Sequence, residues 1–95
     1  MMMNNYNVRL ARKVLEAIQN LENGTRTLAE TQSVLESAAP LCENDGSGLE
    51  KAIRLAAADL ESIQFTTMRD EQTPAAIFSL ANLRAALQAA DTESP

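Results

Sequence analysis

Histidine and tryptophan are absent from this 95-residue chain, cysteine occurs once, glycine three times, and the aromatics amount to two Phe and one Tyr. Each shortage excludes something. Histidine is the usual general acid or base near neutral pH and the commonest metal ligand, and a thiolate is the usual intracellular nucleophile. A lone Cys42 cannot form an intramolecular disulfide, so no disulfide scaffold is expected, and a spectator thiol in a reducing compartment is the plain reading. None of the three glycines stands in a phosphate-loop arrangement. The opening MMMNNYNVRLARK lacks an apolar stretch long enough for a signal peptide, and no segment approaches ~18 uninterrupted apolar residues. A cytoplasmic chain without a membrane anchor is therefore expected, and Asn23-Gly24-Thr25 reads as a turn rather than a glycosylation acceptor.

What remains is Ala, Leu and charge. A chain this short makes one domain over residues 1–95, with flexible ends expected at about 1–5 and 91–95. Hydrophobic residues make up 45% of it, but Ala removes little apolar area per residue, so a thin core and closely spaced helices follow. The net charge of −5 argues against nucleic acid as a direct ligand, because phosphate binding needs a concentrated basic surface. The charge is also uneven. Arg9, Arg12, Lys13 and Arg26 make the start basic, whereas Glu30, Glu36, Glu43, Asp45 and Glu50 follow with no Lys or Arg before Lys51. Such a run is either a solvated face or a docking surface that steers a basic partner.

Helical periodicity organises the chain. Val8, Ala11, Val14, Leu15, Ile18 and Leu21 recur at steps of three and four and predict a helix over about 6–22, capped by Asn5 or Asn7 and closed by Asn23-Gly24. Thr27-Leu28-Ala29-Glu30 fits a capping box and opens a second helix to about Ala39, where Pro40 disfavours helical geometry in the preceding residue. The short link makes the first two helices an antiparallel hairpin. Residues 42–48 (CENDGSG) are turn residues. They do not fit a calcium loop, since aligning Gly46 on its obligatory glycine puts Leu41 and Ala52 where ligands are required. Ser47-Gly48-Leu49-Glu50 is a second candidate capping box. Beyond it Leu49, Ile53, Ala56, Leu60 and Ile63 form an unbroken seam to about Gln64, expected to mark the central helix. A last helix carries Ile77, Leu80, Leu83 and Leu87. It starts either at Pro74, capped by Thr73, or near Thr67 with Pro74 tolerated inside; the first is favoured because Pro suits the first helical position. The expected fold is all-α, an antiparallel bundle of three to four helices.

Catalytic constellations find little support in this inventory. A hydrolytic triad needs an imidazole or a substitute base, and Lys13 and Lys51 fall on polar helix faces. Thirteen acids always offer some carboxylate pair, but Asp59 lies away from the seam and Glu61 near its edge, where water suffices. No enzyme, metal or cofactor is expected. Binding is the better use of what is left over. Phe65, Met68 and Phe78 fall off the main stripes, so they either pack together, stapling the third helix to the fourth, or anchor a partner. Phe65 and Met68, beside the mixed-charge Arg69-Asp70-Glu71, are the candidate anchors, with the five acids as the candidate steering surface.

The stretch Ala58-Asp59-Leu60-Glu61-Ser62-Ile63-Gln64-Phe65-Thr66-Thr67, followed by Asp70-Glu71-Gln72 and by Ala76, Leu80 and Leu83, resembles a pattern in small helical immunity proteins of bacterial polymorphic-toxin loci. It covers roughly the C-terminal third, mostly apolar spacing plus Leu-Glu-x-Ile-x-Phe-Thr. The resemblance implies a non-enzymatic inhibitor that occludes the active site of a toxin effector domain with a basic surface. If that toxin is a nuclease, the acidic run would fill the groove meant for phosphates. No individual residue carries over, because immunity proteins bind through varied surfaces. The alternative is a homo-oligomeric adaptor or structural module whose Ala-rich faces pack against a second copy, and a homodimer fits either reading.

Overall fold

The computed structural model describes residues 3–93, and the side chains of residues 3–90. Four helices form an antiparallel bundle of 40 × 22 × 18 Å: α1 (Asn5–Glu22), α2 (Leu28–Ala38), α3 (Leu49–Thr66) and α4 (Arg69–Glu93). The expected flexible ends fall partly outside these residues, at 1–2 and 94–95. Within them Asn4 already caps α1, and α4 runs on through Glu93.

The boundaries follow local chemistry. Asn4, rather than Asn5 or Asn7, is the cap of α1: its side-chain oxygen accepts from the Asn7 backbone N–H at 2.8 Å. Gly24 closes the helix at φ +83°, a conformation only glycine adopts without strain. The capping box of α2 is present in both directions. The Thr27 hydroxyl accepts from the Glu30 N–H at 3.1 Å, and Glu30 Oε1 accepts from the Thr27 N–H at 2.8 Å. Pro40 does not force Ala39 out of helical geometry (φ −54°, ψ −51°); the chain tightens into a 3₁₀ turn over Ala39–Leu41 and becomes extended at Cys42.

Two starts differ from expectation. Ser47 makes no capping box with Glu50. Gly48 occupies the cap position of α3 in the left-handed region (φ +73°), and the Ser47 hydroxyl instead accepts from the Leu49 N–H at 3.3 Å. Helix α4 begins at Arg69, five residues before Pro74, so the favoured start at Pro74 is wrong and the alternative, a start near Thr67 with Pro74 inside the helix, is the one the fold adopts. Asp70 and Glu71 in the first turn suit the positive helix N-terminus. The Gln72 amide donates to the Gln64 and Thr67 carbonyls at 3.3 and 3.1 Å, tying the new helix to the end of α3. Pro74 removes one backbone donor at an exposed position, where water can satisfy the carbonyl left over.

The core is the seam the periodicity outlines. Val14, Ile18, Leu35, Ile53, Leu60, Ala76 and Leu80 are fully buried, and Ala11, Ala38, Ala39, Ala56 and Ala57 pack in the same cluster. Helix α3 is not central, however. It packs on α2 and α4, while α1 packs on α2 and α4 from the other diagonal. Helix α1 buries the wider arc, Leu10 and Ala17 included, because Ala and Leu occupy the positions beside its stripe. Leu55 of α3 instead stays 59% exposed.

With Leu60 inaccessible to solvent, Leu60→Ala is expected to destabilise the fold by about 2–4 kcal/mol through lost burial and the cavity left behind. Urea or thermal melts check this, and a change under about 1 kcal/mol would place Leu60 outside the seam.

Candidate binding surface

The candidate residues divide between the two ends of the bundle. Gln64 of α3 donates to Gln32 of α2, which places the α3–α4 turn, with Phe65 and Met68, at the end where α2 starts. Glu43, Asp45 and Glu50 lie at the opposite end, where the chain passes from α2 to α3. Glu43, Asp45 and Glu50 therefore do not form one continuous site with the apolar anchors, whereas Glu30, in the first turn of α2, lies at the anchors' end.

At the acidic end the carboxylates have internal work. Asn7 is fully buried, and its carboxamide is satisfied on both sides. Nδ2 donates to the Glu43 carbonyl and to Asp45 Oδ2, each at 2.8 Å, and Oδ1 accepts from the Glu43 N–H at 2.8 Å. Asn4 adds its backbone N–H to Asp45 Oδ2 at 2.9 Å and its side chain to Glu43 Oε1 at 2.8 Å. Asp45 Oδ1 accepts from the Ser47 N–H at 2.9 Å. The Ser47 hydroxyl, the Asn4 and Ser47 backbone and the Asn7 amide hold the Asp45 carboxyl far below its ordinary range, burial opposing them. The arrangement ties the start of α1 to the connection before α3. It was not foreseen, because an Asn ahead of an amphipathic run reads first as a cap.

The other acids are exposed and locally engaged. Glu30 closes the α2 capping box, and the Thr27 backbone N–H and hydroxyl lower its pKa, Arg26 adding a smaller effect. Glu36 accepts from Gln32 at 3.1 Å, and Glu50 pairs with Arg54 at 2.8 Å one turn on. Pairs like these on an open surface add little stability, so all three still contribute to the outer field. Cys42 is partly covered. Burial pushes its thiol pKa up, with Glu50 and Asp45 acting in the same direction, the opposite of an activated nucleophile.

Phe65 and Met68 are 82% and 71% exposed, and Phe78 is 86% exposed. The two Phe rings therefore do not staple α3 to α4. That link is made by Gln72, by Ser79, whose hydroxyl donates to Asp59 at 3.5 Å, and by the core itself. Phe65 stands out because Ile53, Ala56, Leu60 and Ile63 set the inward phase of α3 and residue 65 falls on the opposite side. Leu55, Leu41 and Tyr6 are further exposed apolar groups; Leu55, two residues past Ile53, is off-phase in the sequence as well. Among the described residues there is no group of three or more Cys, Asp or Glu side chains placed to hold a metal ion, and no helix long and apolar enough to cross a membrane. No family model, curated protein or solved structure matches the chain.

Asp45 links this geometry to pH. Its carboxyl is depressed in the folded protein, so its stabilisation is complete above the unfolded value near 4 and is lost as pH falls below it toward the folded value. Urea melts between about pH 6 and about pH 2 should show stability falling at the acid end. Asp45→Asn, which keeps one acceptor and sets an NH₂ among donors, should destabilise by about 1–3 kcal/mol at neutral pH and flatten the acid limb. An unchanged limb would remove Asp45 as its source.

Proposed function

We propose that the chain is a non-enzymatic protein-binding module whose partner seats on the α3–α4 turn. The observation that carries this reading is the exposure of Phe65 and Met68 at 82% and 71%, three residues apart at the α3–α4 turn and followed by the charged Arg69, Asp70 and Glu71. Large apolar groups surrounded by a polar rim are where protein interfaces concentrate their energy.

The immunity role, with a toxin domain as the partner, rests on the resemblance over residues 58–83. The acids fit that role as a field rather than as a contact patch. Glu30, Glu36, Glu43 and Glu50 are exposed in a chain of net charge −5, which speeds the approach of a basic partner and makes association sensitive to salt. Asp45 contributes to that field while its oxygens stay occupied by Asn4, Asn7 and Ser47.

Co-expression with a toxin-domain gene adjacent to this one, a growth assay and titration calorimetry test the reading. Phe65→Ala should weaken binding at least about fivefold, roughly 1 kcal/mol, with less loss of stability than Leu60→Ala. Reversing the charge of Glu36 and Glu50 should slow association and flatten its salt dependence. If the chain neither protects cells nor binds, the immunity role fails; if it binds with Phe65→Ala as tightly as before, the turn is not the contact.

A further inference from the structure

Helix α4 turns two apolar faces outward from one axis. Ala76, Leu80, Leu83 and Leu87 face the core, and on the far side Pro74, Phe78, Ala81, Asn82, Ala85 and Ala89 are exposed. From Pro74 to Ala90 the only charged residue is Arg84. It is drawn to the flank by Glu22 of α1, 2.8 Å away. A helix that is apolar on both sides is one whose second side expects cover.

We infer that this outer face pairs with the same face of a second copy, antiparallel about a two-fold axis passing between Ala81 and Asn82. The spacing of large and small residues is the first argument. Such an axis sets residue 78 against 85 and residue 74 against 89, so each Phe78 ring lies over Ala85 of the other copy and each Pro74 meets Ala89. A ring 86% exposed in the single chain thereby gains a flat seat, and the contact is isologous, as two-fold dimers require. Asn82 falls beside its own symmetry mate, where two carboxamides can bond across the axis and fix the register, as a single buried Asn does in coiled coils.

Charge is the second argument. Two copies of net charge −5 repel over most of their surfaces, and residues 74–89 of α4 are the stretch where they meet without opposing like charges; beyond it the same axis sets Asp70 and Glu71 against the acidic end of the other helix, which weakens the pairing. Area sets the strength. A strip from Pro74 to Ala89 is about 23 Å long at the helical rise, and two such strips with their Phe78 rings bury at most on the order of 1,000 Å², at or below the lower bound for a specific interface. A weak, concentration-dependent dimer follows. Phe65 and Met68 lie outside this strip, so the dimer does not depend on the partner proposed above.

Sedimentation equilibrium from about 1 µM to about 1 mM tests the pairing on the intact chain. The unmodified protein should pass from monomer to dimer across that range. Phe78→Ala and, separately, Ala85→Glu should each weaken the dimer at least tenfold with the helical circular-dichroism signal retained. Asn82→Cys in a Cys42→Ser background should oxidise to a covalent dimer, and adding Phe78→Ala should suppress it. A chain that stays monomeric throughout overturns the inference, as does a dimer that tolerates both face variants and does not cross-link through position 82.

Discussion

One carboxamide, that of Asn7, determines how the second half of the chain is placed on the first. The helices come as two hairpins, α1 with α2 and α3 with α4, and the ten residues between Ala38 and Leu49 have no long helix to guide them. Asn7 supplies the guide by bonding the Glu43 N–H, the Glu43 carbonyl and the Asp45 carboxylate together. A buried amide with every partner in place sets one geometry, whereas one left unpaired costs the desolvation of each group involved. Asp45 then passes the constraint on to Ser47, and Ser47 to the first N–H of α3. The start of α3, and with it the register of its seam, descends from that chain of bonds.

Such dependence on polar contacts suits a core of this composition. Much of what is buried between the helices is Ala, which brings backbones close but removes little apolar surface. The stability left after ordering the chain is small in any domain of this size. Placing a few strong side-chain bonds at the least regular segment uses them where hydrophobic contact is scarcest. The larger apolar residues that could have thickened the core, Phe65, Met68, Phe78 and Leu55, stand outside it.

Periodicity made α1, α2 and the seam of α3 readable, since Val14, Ile18, Leu35, Ile53 and Leu60 recur at helical steps and all are fully buried. The same phase marked Phe65 and Phe78 as off-stripe, and their exposure follows. Features set by tertiary contact were not readable. For α4 the sequence offered both starts and a local rule about proline favoured the wrong one, because it cannot see the Gln72 amide reaching the end of α3. The acidic run read as one surface because sequence proximity carries no information on partners; the fold commits Asp45 to Asn4, Asn7 and Ser47, and Glu30 to Thr27. Centrality of α3 failed for a related reason: a clean seam reports how regular a helix face is, while the number of neighbours depends on how the hairpins dock.

The bond between Asn7 and Glu43 spans 36 residues and closes a ring around the whole first hairpin, much as a disulfide would, but without chemistry. Loop-closure entropy grows only slowly with ring size, so such a lock is inexpensive to form once α1 and α2 have paired through their short turn. The contact between Arg84 and Glu22, 62 residues apart, can form only when α4 returns to α1. Connectivity thus separates the two contacts: the first closes within the front half of the chain, and the second joins the back half to it.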